Sequence, residues 1–310
     1  MVTLLLFPGQ GAQQVGMGKD LAAGFPAARE TFRAIDEALG MPLSRTMWHG
    51  PADALQRTEI AQPAILAHSA AALAVVKERL GEVGGAAGHS LGEYSAYAAA
   101  GALPAVSAAR LVRRRGELMQ EAGTSRPGAM AVVLGLAAEE VRRACREASS
   151  AEEIAVAANL NAPDQTVVSG DPPAVARAGE RCKAAGAKRV LPLKVSAAFH
   201  SPLMAPAARG LAAELDAAPF ADPAFPVVAN ASARPVQSAL EARRELAAQL
   251  TAPVRWVECV QALAALAPAG ASRFVEIGPG TVLGGLLKRI LPGAPYQSLG
   301  TAAEVERFLA

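Results

Sequence analysis

The sequence is poor in several features that mark particular classes of protein. Of its 310 residues, only three are cysteines and only 4% are aromatic. Three widely spaced cysteines argue against a disulfide framework and against a zinc site, and they are typical of a reducing compartment. The net charge of +2 is too small to indicate a nucleic-acid-binding surface. What remains is a globular chain whose core is built mostly from alanine, leucine and valine.

Targeting signals and long apolar runs are also missing. The N-terminal run Leu4–Phe7 is too short for a signal peptide and leads directly into Pro8 and Gly9. No charge-free apolar run approaches ~20 residues, so we expect no membrane span. Because 52% of the residues are hydrophobic, the chain can bury a substantial core. We therefore expect a cytoplasmic protein, monomeric, with no metal site and neither nucleic acid nor membrane as a partner.

The predicted site is centred on Gly88-His89-Ser90-Leu91-Gly92. This segment joins a weak apolar run, Val83–Ala87, to a helix-like stretch, Ser90–Ala100. Gly-x-Ser-x-Gly between a strand and a helix is the nucleophile elbow pattern, in which the serine hydroxyl is exposed on a tight turn. The amide of Leu91, at the helix N-terminus, can donate to an oxyanion. A surface turn also produces this short pattern, so its meaning depends on its context.

A second polar residue, Arg115, lies on the apolar stripe of a helix predicted from Pro104 to about Ala122. A guanidinium in that place needs an anionic partner, because burying it unpaired is costly. If this helix runs antiparallel to Ser90–Ala100, a rise of about 16 Å along each brings Arg115 level with Ser90. The partner can be an anionic ligand, or an Asp or Glu in a structural ion pair.

The segment from Gly128 to Val195 follows a separate βαββαβ pattern. Strands are predicted at 129–136, 154–158, 165–169 and 189–195, with a turn at 159–164. This order is the ferredoxin-like arrangement. Because α/β patterning resumes afterwards, the sequence predicts an α/β core with a parallel sheet, formed by residues 1–126 and 198–310. A ferredoxin-like subdomain at 127–197 interrupts it.

Two further residues are candidates for the site. His200 lies on a loop at the edge of the predicted subdomain, which suits a general base better than the positions of His49 and His68 do. Those two histidines are interpreted as packed side chains. Gln10 lies between two glycines in a loop that can present an amide, although an ordinary glycine-rich turn explains the same residues. The loop fits neither phosphate-binding glycine pattern.

Taken together, these segments resemble the malonyl-CoA:acyl-carrier-protein transacylases over nearly the whole chain. Each match is modestly specific, whereas their joint order and spacing are highly specific. The resemblance implies an α/β-hydrolase-like core with a ferredoxin-like insert. It implies transfer of malonyl from malonyl-CoA to the phosphopantetheine thiol of an acyl carrier protein, without a cofactor. The matching segments are Phe7–Gln13, Gln62–Ala64, Gly88–Glu93, Arg115–Gln120, Gly128–Ala131, Asn161–Gln165, Phe199–Ser201, Gln249–Trp256 and Glu276–Gly280.

The resemblance also implies catalytic roles for residues of this sequence. Ser90 matches the nucleophile, and His200 matches the base. The backbone carbonyl of Gln249 matches the group that orients the histidine. The backbone amides of Gln10 and Leu91 match the oxyanion donors. A serine needs such a base and such donors to attack a thioester efficiently.

Substrate-binding roles follow from the same resemblance. Arg115 matches the residue that binds the malonyl carboxylate, which suits a bidentate guanidinium. Gln62 and Asn161 match positions that line the pocket and contact the substrate. Phe199 precedes the histidine, as it does in related polyketide acyltransferases that select malonyl. Leu91, directly after the serine, also favours malonyl. We expect malonyl rather than methylmalonyl as the substrate.

Two other functions stay open at this point. A serine thioesterase or hydrolase has an acidic residue between its serine and its histidine, and Asp164 and Asp171 satisfy that order. A catalytically silent module that only docks carrier proteins is the second alternative. Carrier proteins are acidic, so basic side chains are candidate contacts, although solvated surface residues explain them equally well. These candidates are Lys188, Arg189, Lys194, Lys288 and Arg289.

Overall fold

The computed structural model describes residues 1–195, 197–268 and 270–310, so Ser196 of the predicted insert lies outside the described residues. The strands are β1 Val2–Phe7, β2 Val83–Gly88, β3 Ala129–Leu134, β4 Ala155–Ala162, β5 Gln165–Gly170, β6 Arg189–Pro192, β7 Val227–Val228, β8 Pro235–Val236, β9 Ser272–Ile277 and β10 Tyr296–Leu299. The helices are α1 Lys19–Gly24, α2 Pro26–Leu39, α3 Leu43–His49, α4 Ala52–Gln56, α5 Thr58–Val76, α6 Gly92–Ala99, α7 Ala105–Ser125, α8 Ala138–Ala148, α9 Pro172–Ala184, α10 Ala205–Ala217, α11 Ala239–Gln249, α12 Trp256–Ala264, α13 Val282–Ile290 and α14 Ala302–Leu309.

The larger sheet has six strands in the order β10-β9-β1-β2-β7-β8. Its first five strands are parallel, and β8 pairs antiparallel with β7. The central strand β1 is apolar except for Thr3, because helices cover both faces of the sheet. Leu5 and Phe7 pack into one core cluster, while Leu4 and Leu6 pack into a second on the opposite face. This sheet therefore holds the elbow at the end of β2 between two hydrophobic layers.

The smaller sheet has four antiparallel strands in the order β4-β5-β3-β6. With helices α8 and α9 the chain order is βαββαβ, and these elements enclose a hydrophobic cluster of their own. The fold class predicted from the sequence, an α/β core with a parallel sheet and a separate ferredoxin-like sheet, is confirmed. The exact boundaries at 126/127 and 197/198 stay a prediction.

The strand β4 is longer than the sequence predicts. The predicted turn at 159–164 is wrong, because β4 continues to Ala162 and leaves only two residues between it and β5. The Leu160 amide donates to the Val254 carbonyl at 2.9 Å, and the Val254 amide donates to the Ala158 carbonyl at 2.8 Å. This pairing with the core extends the strand and carries Asn161 to the cleft between the two sheets.

The helix α5 contains Pro63 in its interior. The helical stretch Thr58–Arg79 is long and apolar enough to cross a membrane by length and composition, but 72% of its most apolar window is buried within the fold. That burial is the environment of a core helix. Its His68 is packed as expected, with Nε2 2.8 Å from the carbonyl of Gly300. The same expectation for His49 is wrong, because His49 at the end of α3 is exposed.

Candidate active site

The elbow lies between the end of β2 and the start of α6. Ser90 has a φ of 53°, a left-handed conformation that is uncommon for serine and is typical of strained functional turns. A Cβ on Gly88 would lie 1.9 Å from the backbone of Gly92, and one on Gly92 would lie 2.2 Å from the Phe7 carbonyl oxygen. Both glycines are therefore required by close backbone contacts.

The side chain of Asn230 fixes the elbow from the next strand of the sheet. Its Oδ1 accepts from the Ser90 amide at 2.7 Å, and its Nδ2 donates to the Gly88 carbonyl at 2.8 Å. Asn230 was not predicted as a site residue. It lies two residues past β7, the strand next to β2, and only its position at the carboxyl end of a parallel strand could have indicated it.

His200 lies directly against the serine. Its Nε2 is 2.8 Å from Ser90 Oγ, and its Nδ1 is 3.0 Å from the backbone carbonyl of Gln249. Because a carbonyl can only accept, Nδ1 carries the proton and Nε2 is left to accept from the serine hydroxyl. Burial, and then the charge of Arg115, lower the pKa of His200 to about 3. The imidazole is therefore neutral and able to act as a base.

The carboxylates that a hydrolase triad would use lie elsewhere. Asp164 pairs with Arg289, and Asp171 pairs with Arg126. Within the described part of the chain, no carboxylate is hydrogen-bonded to His200, whose Nδ1 instead faces a backbone carbonyl. The site is thus a serine–histidine pair rather than a triad with Asp164 or Asp171.

Two residues of the cleft lining have backbone amides without a protein partner among the described residues. Across residues 1–195, 197–268 and 270–310, neither the Gln10 amide nor the Leu91 amide is hydrogen-bonded, whereas the Gly11 amide donates to Gln13 Oε1 at 2.7 Å. Gln10 and Leu91 both line the cleft that contains Ser90. The arrangement can therefore donate two hydrogen bonds to an oxyanion formed at the serine.

Arg115 returns to the serine as the helix geometry predicts. It is 1% exposed, and its Nη2 donates to Ser90 Oγ at 3.1 Å and to Gln249 Oε1 at 2.9 Å. Its Nη1 donates to Gln62 Oε1 at 2.6 Å. No carboxylate of the described residues lies within ion-pair distance of Arg115. Burial lowers the pKa of Arg115, and the neighbouring Tyr94 and Glu93 offset this effect only in part.

A cleft of about 1060 Å³ leads from Ser90 to the surface. Phe199 and Asn161 both line it, as the resemblance implies. Gln62, the other residue expected to line the pocket, is instead fully buried behind Arg115 and is not part of the cleft lining.

Asn161 Oδ1 is 2.8 Å from Nε2 of His89, whose ring stands edge-on to Trp256 with centroids 5.3 Å apart. Sequence reasoning did not single out His89, although it lies inside the elbow motif itself.

The basic residues predicted to contact a carrier protein differ in their surroundings. Lys194 is exposed and lines the mouth of the cleft. Lys188, Arg189 and Lys288 are exposed, whereas the guanidinium of Arg289 is bonded to Asp164 and Gln165. Among the residues that the structure describes, no group of three or more His, Cys, Asp or Glu side chains could hold a metal ion.

An elbow serine paired with a histidine, and facing two free amides, is the geometry of enzymes that pass through an acyl-serine. The family model for the acyl transferase domain matches residues 4–304. The malonyl CoA-acyl carrier protein transacylase of Bacillus subtilis is 45% identical over 285 residues, which cover 92% of this chain and 89% of that protein. The chain therefore belongs to the acyl transferase family.

Solved structures agree with this assignment. A malonyl-transacylase in complex with a type II polyketide synthase acyl-carrier protein has a TM-score of 0.93 and 43% identity, and the match covers 100% of this chain and 99% of that one. An acyl carrier protein S-malonyltransferase from Vibrio cholerae has a TM-score of 0.93 and 40% identity, with 99% of both chains covered. The similarity therefore extends over both sheets.

Proposed function

We propose that this protein transfers a malonyl group from malonyl-CoA to the phosphopantetheine thiol of an acyl carrier protein, through a malonyl-serine on Ser90. The observation that carries the proposal is the buried guanidinium of Arg115, which has no carboxylate partner among the described residues. The free carboxylate of a malonyl group supplies that partner, whereas an acetyl group leaves the guanidinium unpaired. The names of the relatives support the same substrate.

The first half-reaction follows from the geometry of the serine–histidine pair. Nε2 of His200 takes the hydroxyl proton as Ser90 Oγ attacks the thioester carbonyl. The Gln10 and Leu91 amides donate to the resulting oxyanion. When the carbon–sulfur bond breaks, coenzyme A leaves as the thiol with the proton from His200, and the malonyl group stays on Ser90 as an ester.

The second half-reaction reverses these roles. The phosphopantetheine thiol of the carrier protein gives its proton to Nε2 of His200, and its sulfur attacks the malonyl ester. The same amides hold the oxyanion, and Ser90 Oγ leaves with the proton from His200. The backbone carbonyl of Gln249 keeps the imidazole in one tautomer throughout. The product can serve as an extender unit for fatty acid or polyketide synthesis.

The surface around the cleft supports an acidic partner. The exposed Lys194 lies at its mouth, and the neighbouring strand β6 carries the exposed Arg189. One structural relative was solved with a carrier protein bound. The three cysteines are buried and free, which supports a cytoplasmic location.

Intact-mass measurement tests the proposal directly. After incubation with malonyl-CoA, the protein should carry one malonyl adduct, and Ser90→Ala should carry none. Addition of a carrier protein with its phosphopantetheine arm should move the adduct to the carrier thiol.

Two other outcomes would contradict the proposal. Release of free malonate in preference to transfer, with carrier present, would identify a thioesterase. Absence of any adduct would identify a silent docking module. His49→Ala is a suitable control, because His49 lies at the C-terminal end of α3, away from the cleft lining, and should leave the adduct unchanged.

A further inference from the structure

The carboxylate of Glu93 is buried directly behind the serine. Glu93 is the second residue of α6 and is 0% exposed. Its Oε2 accepts from Nε2 of Gln249 at 2.7 Å and from the Asn230 amide at 2.9 Å. Within the described residues no lysine or arginine lies within ion-pair distance of it. A fully buried carboxylate without a cation is costly, so its bonds to Gln249 and Asn230 need a reason.

The amide of Gln249 links Glu93 to the arginine. Its Nε2 donates to Glu93, and to the Ser90 carbonyl at 3.0 Å, while its Oε1 accepts from Nη2 of Arg115 at 2.9 Å. Two acceptors face one end of the amide and a donor faces the other. This chemistry allows one orientation, because a reversed amide would place its NH2 group against the guanidinium and its oxygen against Glu93.

We propose that Glu93 is a positioning residue that determines acyl-group selectivity by holding the Gln249 amide oxygen against Arg115. With Nη2 held by Gln249 and Nη1 held by Gln62, the plane of the guanidinium is fixed before the substrate arrives. A guanidinium that is already held in one plane binds a carboxylate far better than one that must first be ordered. This inference rests on the proposed function, in which Arg115 binds the malonyl carboxylate.

Isosteric variants separate positioning from folding. Glu93→Met removes the acceptor at similar volume, Glu93→Gln keeps an acceptor oxygen, and Gln249→Met removes the linking amide but keeps the backbone carbonyl that holds His200. The kcat/KM for transfer to carrier protein is measured with malonyl-CoA and with acetyl-CoA, together with the melting temperature. Glu82→Met is the matched control, because Glu82 is exposed.

We expect Glu93→Met and Gln249→Met each to lower the malonyl-to-acetyl ratio of kcat/KM about tenfold, the effect of misplacing one charge-assisted hydrogen bond. The double variant should lose no more than about threefold beyond either single variant, because both changes break the same connection. Glu93→Gln should restore the ratio to within about threefold of the unmodified protein. A purely structural role would lower the melting temperature and both rates while leaving the ratio unchanged.

An unchanged ratio in Glu93→Met, or losses that multiply in the double variant, would overturn the inference. If Glu93→Met does not fold, the malonyl-to-acetyl ratio of Gln249→Met provides the same test. Arg115→Ala, measured in parallel, separates this failure from failure of the proposed function. If Arg115→Ala keeps the malonyl-to-acetyl ratio of the unmodified protein, the carboxylate-binding role of Arg115 is contradicted. If Arg115→Ala loses that ratio but Glu93→Met keeps it, only the positioning role of Glu93 is contradicted.

Discussion

Two arginines, Arg115 inside helix α7 and Arg126 directly after its last residue, lie in opposite electrostatic situations. Arg126 forms a bidentate pair with Asp171, with Nε–Oδ1 and Nη2–Oδ2 distances of 3.0 Å, and its side chain is 54% exposed. Arg115, in the middle of the helix, is buried and bonded to two neutral amide oxygens and a serine hydroxyl.

Under the proposed function, the difference separates an arginine that stabilises the fold from one that binds the substrate carboxylate. Arg126 ties the end of α7 to the ferredoxin-like sheet through a carboxylate that the protein supplies. The guanidinium of Arg115 is oriented by neutral groups, which fix its geometry without neutralising its charge. Under the proposed function, a buried guanidinium arranged in this way holds the malonyl carboxylate close to Ser90 Oγ.

Removing each guanidinium gives the largest expected contrast. Arg115→Ala should lower kcat/KM for malonyl transfer about 100-fold or more, since the substrate carboxylate loses a bidentate charge-assisted partner. Arg126→Ala should stay within about threefold of the unmodified protein, because its effect is confined to a surface ion pair. Steady-state assays with malonyl-CoA and carrier protein measure kcat/KM for both variants. Equal losses in the two variants would contradict the distinction between them.

The charge of Arg115 also acts on the base. Burial and this charge lower the pKa of His200 to about 3, so the imidazole should stay in its neutral, proton-accepting form as the pH falls through 6.5, its ordinary value. In Arg115→Ala the titration midpoint should rise, because a nearby positive charge no longer opposes protonation. Nitrogen-15 NMR of the imidazole measures both midpoints. A midpoint near 6.5 in the unmodified protein would contradict this account.

The smallest effect is expected for stability at Arg126. Arg126 is half-exposed, so water can replace its guanidinium at Asp171, and Arg126→Ala should lower the free energy of unfolding by about 1 kcal/mol. Asp171→Ala should cost more, because Asp171 Oδ2 also accepts from the Ile154 amide at 2.8 Å. Urea unfolding measures both values. A larger loss for Arg126→Ala than for Asp171→Ala would show that the pair does not behave as a surface ion pair.

Local patterns in the sequence predicted the parts of the fold and site that depend on neighbouring residues. The elbow needs only five consecutive residues, and helical spacing alone was enough to place Arg115 on an apolar stripe opposite Ser90. The βαββαβ order was likewise readable from periodicity. The length of β4 could not be read from periodicity, because this strand pairs with Val254, which is nearly a hundred residues away in the sequence.

Glu93 and Asn230 escaped prediction as site residues for the same reason, and so did the side-chain role of Gln249, whose backbone carbonyl was the part predicted. Glu93 and Asn230 are bonded to each other although they are 137 residues apart in sequence, and Gln249 lies 156 residues from Glu93. Nothing near Asn230 marks it as functional. A hint was available for Glu93, since it is a charged residue at the buried start of α6, where an unpaired carboxylate needs partners.

The central claim is that Ser90 accepts a malonyl group because Arg115 binds its carboxylate. The most direct test incubates the protein with equal concentrations of malonyl-CoA and acetyl-CoA and measures the mass of the acyl-enzyme. The unmodified protein should carry the malonyl adduct almost exclusively, and Arg115→Ala should shift the adduct towards acetyl. A malonyl preference that survives in Arg115→Ala would contradict the account.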